Sequence, residues 1–127
     1  MESKELRIGN SILINGHIIP QIGYGAIMDL YQKEKGLQNA YLNSISFAPI
    51  PISEEYLLKL GFEKSDIVPQ NSNEVAWQLP DDETFYIVLG EDPSICLREY
   101  GILSYFDYVH ELQNLYYAID GKEIIFK

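Results

Sequence analysis

Three apolar runs, residues 74–79, 84–89 and 94–100, are separated by two short segments built for turning. The separators are Pro80-Asp81-Asp82-Glu83 and Gly90-Glu91-Asp92-Pro93. Runs rich in β-branched and aromatic residues, bounded by Gly, Pro and Asp, read as strands. Connections of four residues force consecutive strands to be antiparallel neighbours, because a parallel crossover needs a dozen residues or more. This pattern predicts an antiparallel meander over 74–100, with 101–106 as one more short strand.

The flanking sequence adds a second sheet region and two helices. Leu6, Ile8, Ile12 and Ile14 recur at even positions, the period of a half-buried strand. Asn15-Gly16 then stands before His17-Ile18-Ile19, and both turn residues tolerate the positive φ of a type I′ hairpin. Gly9-Asn10 suits a bend or bulge, and Pro20 ends the second strand or confines it to an edge. Residues 26–47 are ambiguous: Ala26 to Tyr31 fit an extension of the sheet or a helical turn, and Tyr41 to Phe47 read weakly as a strand. Pro49-Ile50-Pro51-Ile52 delivers the chain to Ser53, a good N-cap, with Glu54 and Glu55 in the first turn of a helix. Ile52 and Leu57 take the staple positions, Leu57, Leu58 and Leu60 form the buried stripe, and Gly61-Phe62 closes the helix. Residues 65–74 are polar and read as a loop.

A second helix is expected over 108–119, capped by Asp107 and stopped by Gly121. At 100° per residue, Tyr108, Val109, Leu112, Leu115, Tyr116 and Ile119 share one face, and His110, Gln113, Asn114 and Tyr117 lie opposite. Residues 123–126 read as a final strand. The expected fold class is therefore α+β: an N-terminal β-hairpin or small-barrel-like region, a short helix, an antiparallel meander, and a C-terminal helix packed on the sheet. With 127 residues and no linker or repeat, residues 1–127 are expected to form a single domain.

Charge narrows the functional classes. The net charge is −10, and residues 53–127 hold 15 acids against five bases, while residues 1–52 are neutral. Such a surface repels phosphate backbones, so direct nucleic-acid binding is not expected, and a basic partner protein is. Plain solubility is the simpler use of the same charge. Met1-Glu2-Ser3-Lys4-Glu5 leads into no apolar run of signal-peptide length, and no stretch has the length of a membrane span. The expected location is the cytoplasm of a bacterial host, away from membranes.

Chemistry-bearing constellations are sparse. Asp81, Asp82 and Glu83 are adjacent, so in extended chain they point to opposite faces and do not converge on one cation. Cys96, the only cysteine, lies between Ile95 and Leu97 in a strand and reads as a structural thiol rather than a nucleophile for His17 or His110. No glycine set forms a phosphate loop and no serine sits in a nucleophile elbow. The expectation is a protein without catalytic residues, cofactor or metal. Two surfaces stand out for partner binding. One is the helical face His110, Gln113, Asn114 and Tyr117, where a tyrosine among polar groups offers an anchor. The other is the pair of acidic turns, Asp81, Asp82 and Glu83 with Glu91 and Asp92, set at opposite ends of one strand.

Three segments carry a resemblance. Lys4 to Asn10 (KELRIGN), Pro49 to Phe62 (PIPISEEYLLKLGF) and Tyr108 to Glu123 (YVHELQNLYYAIDGKE) resemble, in that order, signatures of a group of small phage- and prophage-encoded proteins of unassigned function. Residues 20–47 carry least of the likeness. The resemblance implies a mobile-element origin and no particular reaction. Together with the acidity and small size, it leads to the expectation of a protein that binds a basic host protein and inhibits a nucleic-acid-handling defence enzyme in the manner of an anti-CRISPR. The alternative is a non-catalytic accessory module in phage assembly or regulation.

Overall fold

The N-terminal hairpin forms where the Asn-Gly pair demands it. In the computed structural model, which describes residues 1–66, 75–98 and 100–127, β1 (Ile12–Ile14) and β2 (His17–Ile19) pair antiparallel through Asn15 and Gly16 at φ 51° and 78°. Asn15 does more than turn the chain: its Oδ1 accepts from the Ser46 amide at 2.7 Å, and its own amide donates to the Ser46 carbonyl at 2.8 Å. That pair holds β3 (Phe47–Ala48) against β1, giving the order β2-β1-β3. The sheet is open, and no barrel closes around it among the described residues. Strands of two and three residues are too short to wrap.

The chain divides into two units. The first comprises residues 1–51 and 108–125, and the second residues 52–107 and 126–127. In the first unit, Leu6 and Ile8 do not extend β1. A 3₁₀ turn (Ser3–Glu5) precedes a bend at Gly9, whose φ of 97° turns the chain so that its amide reaches the Ile22 carbonyl. Within residues 26–47 the chain forms two helices, α1 (Tyr24–Glu34) and α2 (Ala40–Asn43), the latter capped by Asn39 Oδ1 accepting from the Leu42 amide, and only Phe47 at the end of the range is in a strand, β3. Lys33 Nζ donates to the carbonyls of Leu42 and Ile45, which fixes α2 beside α1. The C-terminal helix α4 (Val109–Asp120) belongs to this unit, and Gly121 ends it in the left-handed region at φ 69°. Its N-cap is Tyr108 rather than Asp107, with Glu111 Oε1 accepting the Tyr108 amide at 3.1 Å.

The second unit opens with α3 (Glu54–Lys59), capped by Ser53 Oγ as its sequence predicts. Gly61 at φ 96° reverses the chain, and the Phe62 amide returns to the Leu57 carbonyl. Leu57 and Leu60 are buried, but Leu58 is on the outer face and exposed. The chain then forms a five-stranded antiparallel sheet in sequential order: β4 (Glu63–Ser65), β5 (Ala76–Gln78), β6 (Phe85–Val88), β7 (Ser94–Leu97) and β8 (Gly101–Tyr105). The meander is thus present with an added strand, β4, at its far edge. Of the loop expected over 65–74, Ser65 instead ends β4, and residues 67–74 lie outside the described residues, as do the strand residues expected at 74 and 99. All four residues of β6 are buried, so both faces of the central strand are covered. Ala76, Tyr86, Val88 and Cys96 form one buried cluster, where Ser94 Oγ lies 3.6 Å from Cys96 Sγ. Residues 123–126 form no strand. No helix among the described residues is long and apolar enough to cross a membrane.

Candidate functional site

The polar residues of α4 are not a free face. The buried residues of the helix are Val109, His110, Leu112, Gln113 and Tyr116, so the inward arc is rotated from the expected stripe and takes in two of the four polar residues assigned outside. Ile119, placed on the apolar face, is instead exposed. The physical reason is the backbone that α4 must satisfy. Gln113 Oε1 accepts from the Ser11 amide at 2.8 Å, and Gln113 Nε2 donates to Ser11 Oγ at 2.9 Å and to the Ile124 carbonyl at 3.0 Å. One amide therefore ties β1's approach to the C-terminal tail, replacing a sheet ladder that neither segment forms. Gln113 and His110 drop out as partner-binding residues.

Asn114 and Tyr117 are part of the same seam. Asn114 Oδ1 accepts from Asn10 Nδ2 at 2.8 Å and from Arg7 Nε at 3.3 Å, while its Nδ2 donates to the Glu5 carbonyl at 2.8 Å. The Arg7 guanidinium lies 4.2 Å from the centre of the Tyr117 ring and pairs with the Glu123 carboxylate. Tyr117 remains half exposed, with one ring face taken by Arg7. The first and third segments quoted above, 4–10 and 108–123, are thus bonded to each other through these side chains.

His110 is a buried polar group in this seam. It is fully buried, neither ring nitrogen has a hydrogen-bond partner among the described residues, and its Nε2 stands 3.6 Å from Glu5 Oε1. Tyr108 stacks on the ring at 5.9 Å between centroids. Burial pushes the imidazole's pKa below its ordinary value, and the nearby Glu5 and Glu111 carboxylates oppose this only in part. The Glu5 carboxyl is itself held below its usual range, chiefly by accepting the Glu2 amide at 2.6 Å.

The acidic turns divide by role. Asp82 is buried: its Oδ1 accepts the Thr84 amide at 2.9 Å, an Asx turn that shapes the β5–β6 connection. It is a structural residue, and the expectation that it meets a partner fails for that reason. Asp81, Glu83, Glu91 and Asp92 are exposed. The two turns flank β6 as the sequence suggests, because Asp81 and Glu83 precede Phe85, and Glu91 and Asp92 follow Val88.

Sequence reasoning missed the outer edge of the sheet. Among the described residues β8 is paired on one side only, with Ser94 opposite Tyr105 and Leu97 opposite Gly101. Its Ile102, Leu103 and Tyr105, with Tyr100 just before it, are all exposed. Ile-Leu-Ser-Tyr composition reads as core strand; only the topology makes it an edge. At the Gly101 end, Glu83, Thr84, Leu97, Arg98 and Tyr100 line a cleft of about 340 Å³. No family model, curated protein or solved structure matches this chain.

Proposed function

We propose that this protein acts by contact, as a mobile-element-derived binding protein whose partner is a basic, nucleic-acid-handling host enzyme that it blocks. The supporting observation is where the charge sits. Residues 52–107 and 126–127 hold 12 acids against four bases, so the second unit carries −8 of the net −10, and the first unit only −2. A charge concentrated in one unit steers a basic partner to that unit and away from the other. Four turn acids there, Asp81, Glu83, Glu91 and Asp92, are exposed and available. The large exposed aromatic and aliphatic residues of β8 supply the uncharged surface that acidic steering alone does not.

The test is capture of the host partner by wild-type protein and by the quadruple variant Asp81→Lys, Glu83→Lys, Glu91→Lys, Asp92→Lys, followed by assay of the captured enzyme on its nucleic acid. Retention of a basic nuclease by the wild type alone, with its activity suppressed, supports the proposal. Equal capture by the variant, or capture without loss of activity, counts against it.

A further inference from the structure

The five-stranded sheet has two edges, and they are treated differently. β4 is blunted in the usual way: Glu63 and Lys64 are charged, and Lys64 is held 3.8 Å from Glu54. β8 has no charged residue and no proline. Tyr100 is 80% exposed, Ile102 54%, Leu103 45% and Tyr105 60%. No strand pairs with its outer side among the described residues, so the backbone N–H and C=O groups that point away from β7 form an open template. One bulge interrupts the β7–β8 ladder: Ile95 faces Ser104 and Cys96 faces Ile102, leaving Leu103 without an opposite residue. The bulge turns Leu103 outward beside Ile102, and both are exposed.

Charge selects what fits this edge. At the Tyr105 end the neighbours are acidic: Glu91 and Asp92 precede Ser94, which pairs with Tyr105, and Asp107 follows closely after the Phe106 amide bonds the Pro93 carbonyl at 3.0 Å. At the Gly101 end lies the cleft with Glu83 and Arg98. A second copy would bring one −8 unit against another along an uncharged strand, which disfavours self-pairing. An extended segment with β-forming residues and a Lys or Arg at one end complements both the strand and its acidic end.

We infer that β8 is a strand-addition site: an extended segment of the partner, with a basic residue beside Glu91 and Asp92, pairs with its outer edge as a sixth strand. The inference rests on the contact reading above and specifies its mode. Main-chain bonds supply affinity, and the cleft beside Tyr100 receives one side chain and supplies selectivity.

The experiment selects binders from a random twelve-residue peptide library on the whole wild-type chain. Selected peptides are then resynthesised with alternate amides N-methylated, in each of the two registers. Recovered peptides are expected to share a β-branched or aromatic core with Lys or Arg at one end. Methylation in the sheet-facing register should weaken binding at least tenfold, and in the other register less than about twofold. Leu103→Lys should weaken it at least tenfold with an unchanged melting curve. Binders indifferent to methylation in both registers, or a library that returns none, overturn the inference. So does a chain that is dimeric through β8, shown by sedimentation and dispersed by Leu103→Lys. If capture of the host partner depends on the turn acids but is unaffected by Leu103→Lys and by competing peptide, strand addition fails while the contact reading stands.

Discussion

Replacing Gln113 with Met keeps the side chain's length and bulk and removes only its amide. Gln113 is fully buried and makes three short bonds: from the Ser11 amide, to Ser11 Oγ and to the Ile124 carbonyl. The methionine leaves the Ser11 N–H and the Ile124 C=O without those bonds. Ser11 Oγ keeps its donation to the Pro20 carbonyl at 2.6 Å, and Asn10 Nδ2 keeps Asn114. Two stranded buried backbone groups at about 1–3 kcal/mol each give an expected loss of about 2–5 kcal/mol, after a small return from burying a thioether in place of an amide. Urea unfolding followed by far-ultraviolet circular dichroism measures that loss. Amide hydrogen exchange locates it, since the Ser11 amide should exchange faster in the variant. A Met variant within about 0.5 kcal/mol of wild type, with Ser11 exchange unchanged, would refute the reasoning and reduce Gln113 to a space-filling residue.

Three other outcomes follow from the same geometry. Leu112 is fully buried on α4, so Leu112→Ala should cost about 2–5 kcal/mol in the same melts. Burial lowers the His110 pKa, so between that lowered pKa and the ordinary 6.5 the unfolded chain binds a proton that the folded chain refuses; stability should fall as pH drops below about 6.5, and His110→Phe should flatten that part of the pH profile. Asn15 combines a φ of 51° with two bonds to Ser46, so Asn15→Ala should destabilise by about 1–3 kcal/mol, whereas Asn15→Gly, which relieves the backbone but loses the side-chain bond, should cost less.

Local chemistry was legible where a few residues determine the outcome alone. Asn15-Gly16 and Gly121 act through their own backbone and Ser53 through a hydroxyl that caps the helix it precedes, and each stands as the sequence implies. The meander was legible because its turns are short and strongly polar. The face of α4 was not, because Gln113 and His110 are buried for tertiary reasons: unpaired backbone at Ser11 and Ile124 needs an amide, and no periodicity of hydrophobic residues encodes that need. Asp82 hides for a local reason that is visible in principle, an Asp two residues before the amide it caps, yet its charge reads as surface. β8 carries the opposite disguise. Its side chains have core composition, and whether such a strand lies inside a sheet or at its margin depends on strand order.

Association kinetics with the captured host partner test the central claim most directly. The rate constant for association is measured over a range of salt concentrations, for wild type and for the Asp81, Glu83, Glu91, Asp92 quadruple lysine variant. Exposed charges are screened over about 8 Å at physiological ionic strength, so a partner steered by the second unit should associate more slowly as salt rises. The variant should associate more slowly at low salt and lose most of that salt dependence. A wild-type rate that is flat across the salt series and equal to the variant's would contradict the account and leave the acidity a matter of solubility.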